Sequence, residues 1–598
     1  MPSETDIPFL VSLRGRLVFP AAALLLLITA AFALRAALLP VRFFDPDELE
    51  HLQASFLISH GWTPHKDFFE HHNHLLHYLL LPLLPAAPGP ETIFAARLFM
   101  LILTGGILLA TGALARALDP PLGGFLAAAW LSLDFVFLSK TLEVRPDVPA
   151  MLFLCLGMLC LLRKGGRTGI RWALAGLTFS LAFLATQKAA FPILGIALVM
   201  LLLPASDRKW TRWTKWTNYG AFAAAFLFPL LIALLYYHQQ GVLLPLLKDN
   251  FLLNFAWKRR FSPLLFFAPV CLFDPFFVFW TGAGMCLALR DRRRDLRGLL
   301  PFGALGGGIA GALVSPVVYA HYYAMLMPFA AILAASALLR FLEWLPAQSG
   351  RIRFPAGLLF FLPAIPQAYL VFSSIYRYPI PLENAPLWVI ISLAAGGAAW
   401  LIVSFPPRRF SAILVPACLL AAVAPRSFNL MLNYRSFTNA VFLRSLRTVH
   451  ALAGPNDINR RLNRIGEDTN QNESAWSAIL FNPIRSSVEF SRPVLDGWTG
   501  LGVFRYPAYY YGFLHPEVLL MLSPEEKGEK LLQALRENRP AVVLRDNAWY
   551  SFSPEVRRYI GENYVTEREE WLGGERIQIM KRRKSEGKSK KWEVGSKK

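Results

Sequence analysis

FDPDELEHLQASFLISHGWTPHKDFFEHHNHLLHY, residues 44–78, directly follows a strongly apolar segment, residues 17–40. This polar stretch holds seven of the chain's eleven histidines, together with six acids. The acids are Asp45, Asp47, Glu48, Glu50, Asp67 and Glu70. Because an ionised group at the centre of a bilayer costs about 2.5–3.5 kcal/mol on insertion scales, the stretch must lie outside the hydrocarbon. It therefore predicts an active-site loop that the neighbouring helices hold at the membrane surface.

The composition indicates a polytopic helical membrane protein. Of 598 residues, 55% are hydrophobic and 17% are charged, whereas soluble domains carry about 25% charged residues. Apolar runs of about 20 residues recur, which is enough to cross a hydrocarbon core of about 30 Å. The thirteen predicted spans are residues 17–39, 91–117, 121–138, 148–163, 169–186, 189–204, 219–237, 264–289, 299–318, 322–341, 355–374, 386–404 and 410–425. Residues 75–85 are apolar but too short to span, which predicts a re-entrant or interfacial helix.

The net charge of +21 does not indicate a nucleic-acid partner, because much of the excess lies in short loops and in the last 18 residues. Loops 163–171, 207–215 and 290–297 are dense in Lys and Arg, as is typical of cytoplasmic loops. With a cytoplasmic N-terminus and an odd number of spans, residues 44–78 and the polar C-terminal part both lie outside the cytoplasm. We predict a multi-pass protein of the cell inner (plasma) membrane, in contact with membrane lipids.

The predicted fold class is an all-α polytopic membrane protein with a small C-terminal extracytoplasmic α/β domain. The predicted divisions are a transmembrane catalytic domain (1–428) with an extracytoplasmic loop (41–90), the α/β domain (429–580) and a basic disordered tail (581–598). Within the α/β domain, residues 524–538 have the periodicity of an amphipathic helix. Short apolar runs at 541–544 and 576–580 predict strands.

Asp45 and Asp47 are the first candidates for chemistry, because they follow the first span at the lipid–water boundary. Two acids separated by a proline can supply a general base, bind a metal ion, or cap a surface helix. A divalent cation, Mg²⁺ or Mn²⁺, is the cofactor that this pair could hold. A base near a surface depleted of water would have its pKa raised toward a useful value.

His71 and His72 could suggest a zinc site, but two observations favour another role. Adjacent residues point to different faces of a helix, and the HExxH spacing is absent. We therefore favour hydrogen bonding of these histidines to a polar substrate or headgroup.

KTLEVRPDVPAM, residues 140–151, is a second polar segment, in a short loop between predicted spans three and four. It offers Arg145 and Asp147. Asp147 could cap the following span, with Pro149 in its first turn, and this role is compatible with a functional one.

Further cations and phenols lie on the same predicted side of the membrane. Lys258 and Arg259 stand in an extracytoplasmic loop that departs from the charge pattern, and His321 and Tyr323 stand in another loop. Such groups suit an anionic phosphate through charge-assisted hydrogen bonds. Ordinary headgroup contact is the alternative for the basic residues.

Three motifs resemble those of a known superfamily: the DE pair at 47–48, GWTPHKDFFEHH at 61–72 and RPD at 145–147. They are similar to the GT-C superfamily of membrane glycosyltransferases, in particular to bacterial members of glycosyltransferase family 39 and to the aminoarabinose transferases. The resemblance covers about residues 10–330. It implies a polyprenyl-phosphate-linked sugar donor and transfer, on the extracytoplasmic side, to a protein, lipid or glycan acceptor.

The resemblance also implies roles for particular residues. Asp47 matches the presumed base, Glu48 is its partner, and Asp147 matches the second acid. Glu50 stands where the aminoarabinose transferases have an arginine that contacts the lipid phosphate.

Other residues must therefore contact the donor phosphate. The candidates are Lys66, Arg145, Lys258, Arg259 and Tyr323. The candidates for other substrate contacts are Asp45, His71, His72 and His321.

Two other functions stay open at the level of sequence. A transporter or flippase of lipid-linked sugars would carry ionisable residues or Gly/Pro breaks at corresponding positions of two repeated halves, and no such repeat is visible. A non-catalytic polysaccharide assembly protein is excluded only weakly.

Overall fold

The computed structural model describes thirteen parts of the chain: residues 7–40, 42–85, 88–118, 122–163, 168–202, 212–255, 267, 274–291, 298–344, 437–454, 492–514, 516–572 and 575–583. The chain divides into two compact units, Met1–Asn439 and Ala440–Lys598. The boundary predicted at 428/429 lies outside the described residues, as does most of the predicted basic tail.

The first unit is helical in its described part. Its helices are Ile7–Leu38 (α1), Pro46–Ser59 (α2), Leu75–Leu80 (α3), Pro90–Leu118 (α4), Gly123–Leu133 (α5), Phe135–Thr141 (α6), Asp147–Leu162 (α7), Thr168–Ala185 (α8), Ala190–Leu202 (α9), Arg212–Gln239 (α10), Leu243–Leu247 (α11), Leu253–Phe255 (α12), Pro275–Asp291 (α13), Leu299–Val314 (α14), Ala320–Ala324 (α15) and Met327–Trp344 (α16). Short 3₁₀ or π turns occupy Leu81–Leu83, Gln187–Ala189 and Lys248–Leu252.

Five of these helices are long and apolar enough to cross a membrane, or six if the bent pair α5 and α6 forms one span. The five candidate spans are Pro20–Leu38, Pro90–Leu118, Thr168–Ala185, Trp216–Gln239 and Met327–Trp344. Shorter apolar helices occupy Asp147–Leu162, Gln187–Leu201 and Leu299–Val314. The multi-pass helical architecture is confirmed. The number thirteen is not, since the last three predicted spans lie outside the described residues.

Two helix breaks place polar residues beside the functional region. The predicted span 121–138 is bent by 67° between α5 and α6, where the Asp134 carboxylate accepts a hydrogen bond from the Phe137 N–H at 2.7 Å. Between α8 and the Gln187–Ala189 turn, Thr186 has an extended backbone with φ −151° and ψ 134°. Each break ends an apolar helix and is followed by a lysine, Lys140 in the first case and Lys188 in the second. The two lysines contact Glu143 and Asp147 respectively.

Close helix packing in the first unit depends on small residues. A Cβ atom added to Gly195 of α9 would overlap the Gly303 carbonyl of α14, and one added to Gly303 would lie 2.6 Å from the Gly195 carbonyl oxygen. Small residues allow this approach between membrane helices. Large apolar side chains such as Leu109 and Leu231 are exposed on the outside, as expected for surfaces that face lipid.

The second unit contains a small mixed sheet with helices. Its elements are helices Phe437–Ala453 (α17), Pro516–Met521 (α18), Leu531–Asn538 (α19) and Pro554–Asn563 (α20), and strands Val494–Leu495 (β1), Val542–Arg545 (β2), Tyr564–Leu572 (β3) and Glu575–Arg582 (β4). The strand order is β1-β2-β4-β3, with β1 and β2 parallel and the other pairs antiparallel. The small α/β composition is confirmed: the runs at 541–544 and 576–580 form β2 and β4, and the amphipathic segment contains α19.

Candidate active site

Asp45 and Asp47 have different positions at the start of α2. Asp45 is the N-cap residue, and its Oδ1 accepts a hydrogen bond from the Asp47 N–H at 3.0 Å. Pro46 occupies the first helical turn, where its missing N–H costs nothing. The capping role is thus confirmed for Asp45. Asp47 uses its side chain elsewhere: its Oδ2 accepts a hydrogen bond from Arg145 at 2.7 Å.

Arg145 joins four carboxylates into an acid–cation cluster. Its guanidinium donates to Asp47 at 2.7 Å and to Glu143 at 2.9 Å. It also lies 3.9 Å from carboxylate oxygens of Asp45 and Asp147. The Arg145 side chain is only 4% exposed. Its buried positive charge therefore orients the acids around it.

Glu143 is the most strongly neutralised acid of the cluster. Burial alone would raise the pKa of its carboxyl, but the positive charges of Lys140, Arg42 and Arg145 lower that pKa to about 2. Lys140 donates to both Glu143 oxygens, at 2.9 and 3.1 Å, and Arg42 forms a buried ion pair with the same carboxylate. Glu143 is therefore ionised, and both of its carboxylate oxygens are bound by cations.

Asp45 behaves in the opposite way. Burial and the negative charges of Glu143 and Asp47 raise the pKa of the Asp45 carboxyl to about 6, against the opposing effect of Lys140 and Arg145. Asp45 and Glu143 therefore differ in their electrostatic environments, although both lie near Lys140 and Arg145.

Lys188 completes the cluster from the turn before α9. Its ammonium donates to Asp147 Oδ1 at 3.3 Å and lies 4.3 Å from the centre of the Tyr322 ring. Asp147 is the first residue of α7, whose N-cap is Pro146. The cluster thus gathers side chains from the start of α2, from α6, from the loop between α6 and α7, from α7, from the turn before α9 and from α15.

Exposure separates the acids further. The Asp47 side chain is 29% exposed, against 4% for Asp147 and 0% for Glu143. Asp47 is therefore the most accessible of these three carboxylates.

Glu48 is completely buried and bound from two directions. It accepts hydrogen bonds from Arg97 Nε at 2.7 Å and Nη2 at 2.6 Å. It also accepts a hydrogen bond from the Val144 N–H at 3.3 Å. Arg97 also donates to three backbone carbonyls, those of Leu39, Arg42 and Phe43. The pair thereby connects the end of α1, the start of α2 and the loop before α7.

The histidine-rich segment forms a second group, which we call the Glu–His cluster: Glu50, Glu70, His71 and His72. One potential ligand atom from each lies within 4.8 Å of the others, and this is the only such group of three or more in the described residues. Because the two histidines lie in a segment without helical structure, the expectation that they point to different helix faces does not apply.

The remaining predicted site residues are dispersed. Lys66 is exposed on the loop. His321 stacks on Tyr319, with ring centres 5.7 Å apart, and burial together with the charges of Arg145 and Lys188 lowers its pKa.

Of the adjacent tyrosines, Tyr322 contacts Lys188, whereas the Tyr323 ring is buried 5.5 Å from that of Phe267. Lys258 and Arg259 lie outside the described residues.

Arg97, Lys188 and Tyr322 were not among the predicted site residues, although the sequence holds a signal for the first two. Arg97 is a charged residue inside an apolar span, which normally marks a partner or a function. Lys188 lies in the three polar residues that separate two spans.

The helices define the class of protein: a multi-pass helical membrane protein. A family model described as dolichyl-phosphate-mannose-protein mannosyltransferase matches residues 86–233. No curated protein matches the sequence.

Several solved structures match this chain in fold. ArnT from Cupriavidus metallidurans matches with a TM-score of 0.54, both bound to undecaprenyl phosphate (12% identity) and in the apo state (13% identity). In both cases the match covers 94% of this chain and 98% of ArnT. The Archaeoglobus fulgidus oligosaccharyltransferase AglB, in complex with an inhibitory peptide and a dolichol-phosphate, matches with a TM-score of 0.49 and 11% identity over 92% of this chain and 73% of AglB. The resemblance to the GT-C superfamily is confirmed.

Proposed function

We propose that the protein transfers a sugar from a polyprenyl-phosphate donor to an acceptor hydroxyl of a lipid, glycan or protein, on the extracytoplasmic face of the membrane. The observation that carries the proposal is the acid–cation cluster, in which the Asp47 carboxylate, 29% exposed, lies among ion-paired groups that are all less exposed. ArnT from Cupriavidus metallidurans, which has a similar fold, was crystallised bound to undecaprenyl phosphate, and this supports a polyprenyl-phosphate ligand for the present chain.

Asp47 is the proposed general base. The acceptor hydroxyl gives its proton to the Asp47 carboxylate while the hydroxyl oxygen forms a bond to the anomeric carbon of the sugar. The bond between that carbon and the phosphate oxygen breaks, and the lipid phosphate leaves with the bonding electrons. A single displacement of this kind inverts the anomeric configuration. A well-placed base of this type contributes about 10²–10⁴-fold to the rate.

Arg145 suits a positioning role, because its guanidinium already contacts four carboxylates. Lys188 is better placed for the departing phosphate: it is partly exposed, at 15%, and among the described residues its carboxylate partner is Asp147 alone. A preorganised cation stabilises charge that develops in the transition state. The exposed Lys66 and the predicted phosphate ligands Lys258 and Arg259 remain proposals for the same lipid phosphate.

Glu48 is proposed to act through position. Both of its oxygens are bound by the Arg97 guanidinium, so it holds the first turn of α2 and with it Asp47. Asp147, which contacts Lys188, is proposed to orient that lysine.

The pair Asp45 and Asp47 does not fit a resident Mg²⁺ or Mn²⁺ ion. One oxygen of Asp45 accepts the backbone hydrogen bond of the cap and the other lies 3.9 Å from Lys140. Asp47 accepts from Arg145 at 2.7 Å. A dication at this position would be repelled by both side-chain cations, and no step of the proposed reaction uses one.

A transporter is less well supported by the described helices. Arg97, a buried charge in a candidate span, is the eighth residue of the 29-residue helix α4 and binds backbone carbonyls at the end of α1. Arg35 lies in the last turn of α1. These charges therefore lie toward helix ends and not at the middle of the spans.

The proposal is tested with purified protein in lipid vesicles, radiolabelled polyprenyl-phosphate sugars, and membranes of the source organism as acceptor. The wild type should transfer label, and Asp47→Asn should transfer it about 10²–10⁴-fold more slowly. Asp67→Asn is the matched control: Asp67 lies outside the acid–cation cluster, and its Oδ2 accepts a backbone hydrogen bond from Thr63 at 2.8 Å, which asparagine can also accept. Equal transfer by Asp47→Asn and wild type would contradict the assignment of the base.

A further inference from the structure

The Glu–His cluster has the donor set of a transition-metal site. It offers two carboxylates, from Glu50 and Glu70, and two imidazoles, from His71 and His72, with one ligand atom of each within 4.8 Å of the others. Glu50 and Glu70 are buried and the histidines are partly buried. We propose that these four residues bind one divalent ion of the Zn²⁺ class, separate from the acid–cation cluster that contains Asp47.

The backbone that carries the two histidines is held in place by amide side chains from distant parts of the chain. Gln187 donates to the His71 carbonyl at 3.1 Å, and Asn254 donates to the same carbonyl at 3.2 Å. Asn250 donates to the His72 carbonyl at 3.1 Å. These bonds hold the backbone from which the two adjacent imidazoles extend, in a segment without regular structure, and this is part of the preorganisation that a ligand-binding loop requires.

Glu70 is oriented in the same way. Its Oε1 accepts hydrogen bonds from the N–H groups of His71 and His72, both at 2.9 Å, while its Oε2 lies 3.7 Å from His77 Nε2. His77 in turn lies 3.3 Å from His51. Metal ligands commonly have hydrogen bonds to surrounding groups that set their orientation, and the two backbone N–H groups provide them for Glu70.

Charge and ligand type select the class of ion. Two buried carboxylates a few ångströms apart repel each other strongly in a medium of low dielectric constant, and a dication between them removes that repulsion. Imidazole ligands suit Zn²⁺ and other late transition metals, whereas Mg²⁺ and Ca²⁺ prefer all-oxygen sites. Because the protein supplies four ligands, the coordination of Zn²⁺ would be complete, as in structural sites.

The position of Glu50 gives the ion a mechanical consequence. Glu50 follows Asp47 by three residues on α2, and residues at this spacing lie on the same side of a helix. An ion shared by Glu50 and the 70–72 segment would hold that segment against the helix that carries Asp47. Metal binding itself does not depend on the proposed glycosyl transfer.

The test measures metal directly. Untagged full-length protein in detergent is equilibrated with Zn²⁺, passed through a desalting column and analysed for zinc by mass spectrometry. The wild type should retain about one zinc per chain, as a closed structural site does. Glu50→Gln and His72→Ala should retain at least about tenfold less. His238→Ala, which removes an exposed histidine on α10, is the matched control and should retain as much as the wild type.

A second readout uses the wild type alone, so its outcome does not depend on whether the variants fold. Zn²⁺ should raise its melting temperature and slow hydrogen exchange in residues 65–74, a chelator should reverse both effects, and Mg²⁺ should produce neither. Zinc retention by Glu50→Gln and His72→Ala equal to that of His238→Ala would overturn the proposal. So would a wild type that retains no zinc and shows no Zn²⁺-dependent shift.

Discussion

At the scale of single residues, Asp45 and Asp47, which flank Pro46, make different contacts. Asp45 is the N-cap of α2, while Asp47, the second residue of the helix, accepts a hydrogen bond from Arg145 and is 29% exposed. Neighbouring acids in different environments are typical of sites in which the acids have different roles. The sequence motif contains both acids, but only the structure shows that Asp45 caps the helix and that Asp47 is the more exposed of the two, 29% against 18%.

The raised pKa of Asp45 leads to a pH-dependent prediction. As pH rises through about 6, the Asp45 carboxyl loses its proton, and its new negative charge competes with Asp47 for Arg145. Asp47 then becomes a stronger base, so kcat/KM for sugar transfer should rise from pH 5 to pH 7. Asp45→Asn should lose this rise while keeping the helix, since asparagine is an equally good N-cap. A pH profile with an unchanged step near 6 in that variant would contradict the assignment.

The Glu48–Arg97 pair leads to a prediction about stability. Removing one partner, as in Arg97→Met, leaves a completely buried carboxylate without its counter-charge, and such a loss costs about 3–5 kcal/mol. The double variant Glu48→Gln/Arg97→Met should be more stable than Arg97→Met alone. The measurement is thermal unfolding in detergent, with the exposed Arg163→Met as control. Equal melting temperatures for Arg97→Met and the control would contradict a clamping role.

At the scale of secondary structure, the break at Asp134 places Lys140. The Asp134 cap at the start of α6 stabilises the 67° bend. Asp134→Ala should lower stability by about 0.5–2 kcal/mol and reduce sugar transfer, whereas Asp134→Asn should retain most of both. Unfolding and transfer assays on the two variants provide the check, and wild-type values for Asp134→Ala would show that the bend does not need the cap.

Apolar runs predicted the helices well, because a bilayer requires long apolar segments whatever their neighbours are. They could not predict the bend inside residues 121–138, which depends on one polar residue in an apolar run. The strand β3, residues Tyr564–Leu572, was also missed. Its side chains are mostly exposed and many are charged, so it lacks the apolar alternation that marks a half-buried strand.

The polar segments of the candidate site were visible in the sequence, but the pairing of their residues was not. The polar segments around Asp47 and Arg145 are visible in the sequence, yet these residues are 98 positions apart, and only the packing of the helices brings them together. Likewise, nothing in the order of residues separates Tyr322, which contacts Lys188, from its neighbour Tyr323.

At the scale of the whole molecule, the distribution of loop charges predicts the topology. In intact cells, Lys66→Cys and Lys530→Cys, one in each unit and both at exposed positions, should react with a membrane-impermeant maleimide. Arg163→Cys should react only after the membrane is opened, because its loop is predicted to be cytoplasmic. Labelling of Arg163→Cys in intact cells, or protection of the other two, would reverse the proposed orientation.

The central claim is that Asp47 removes the proton of the acceptor, and donor-saturation kinetics test it most directly. Asp47→Asn should lower kcat about 10²–10⁴-fold with little change in the KM for the polyprenyl-phosphate sugar, since Asp47 is proposed to act on the acceptor. Lys188→Met, in contrast, should affect both constants, because the lysine is proposed to contact the donor phosphate. A kcat of Asp47→Asn equal to that of the wild type would contradict the account.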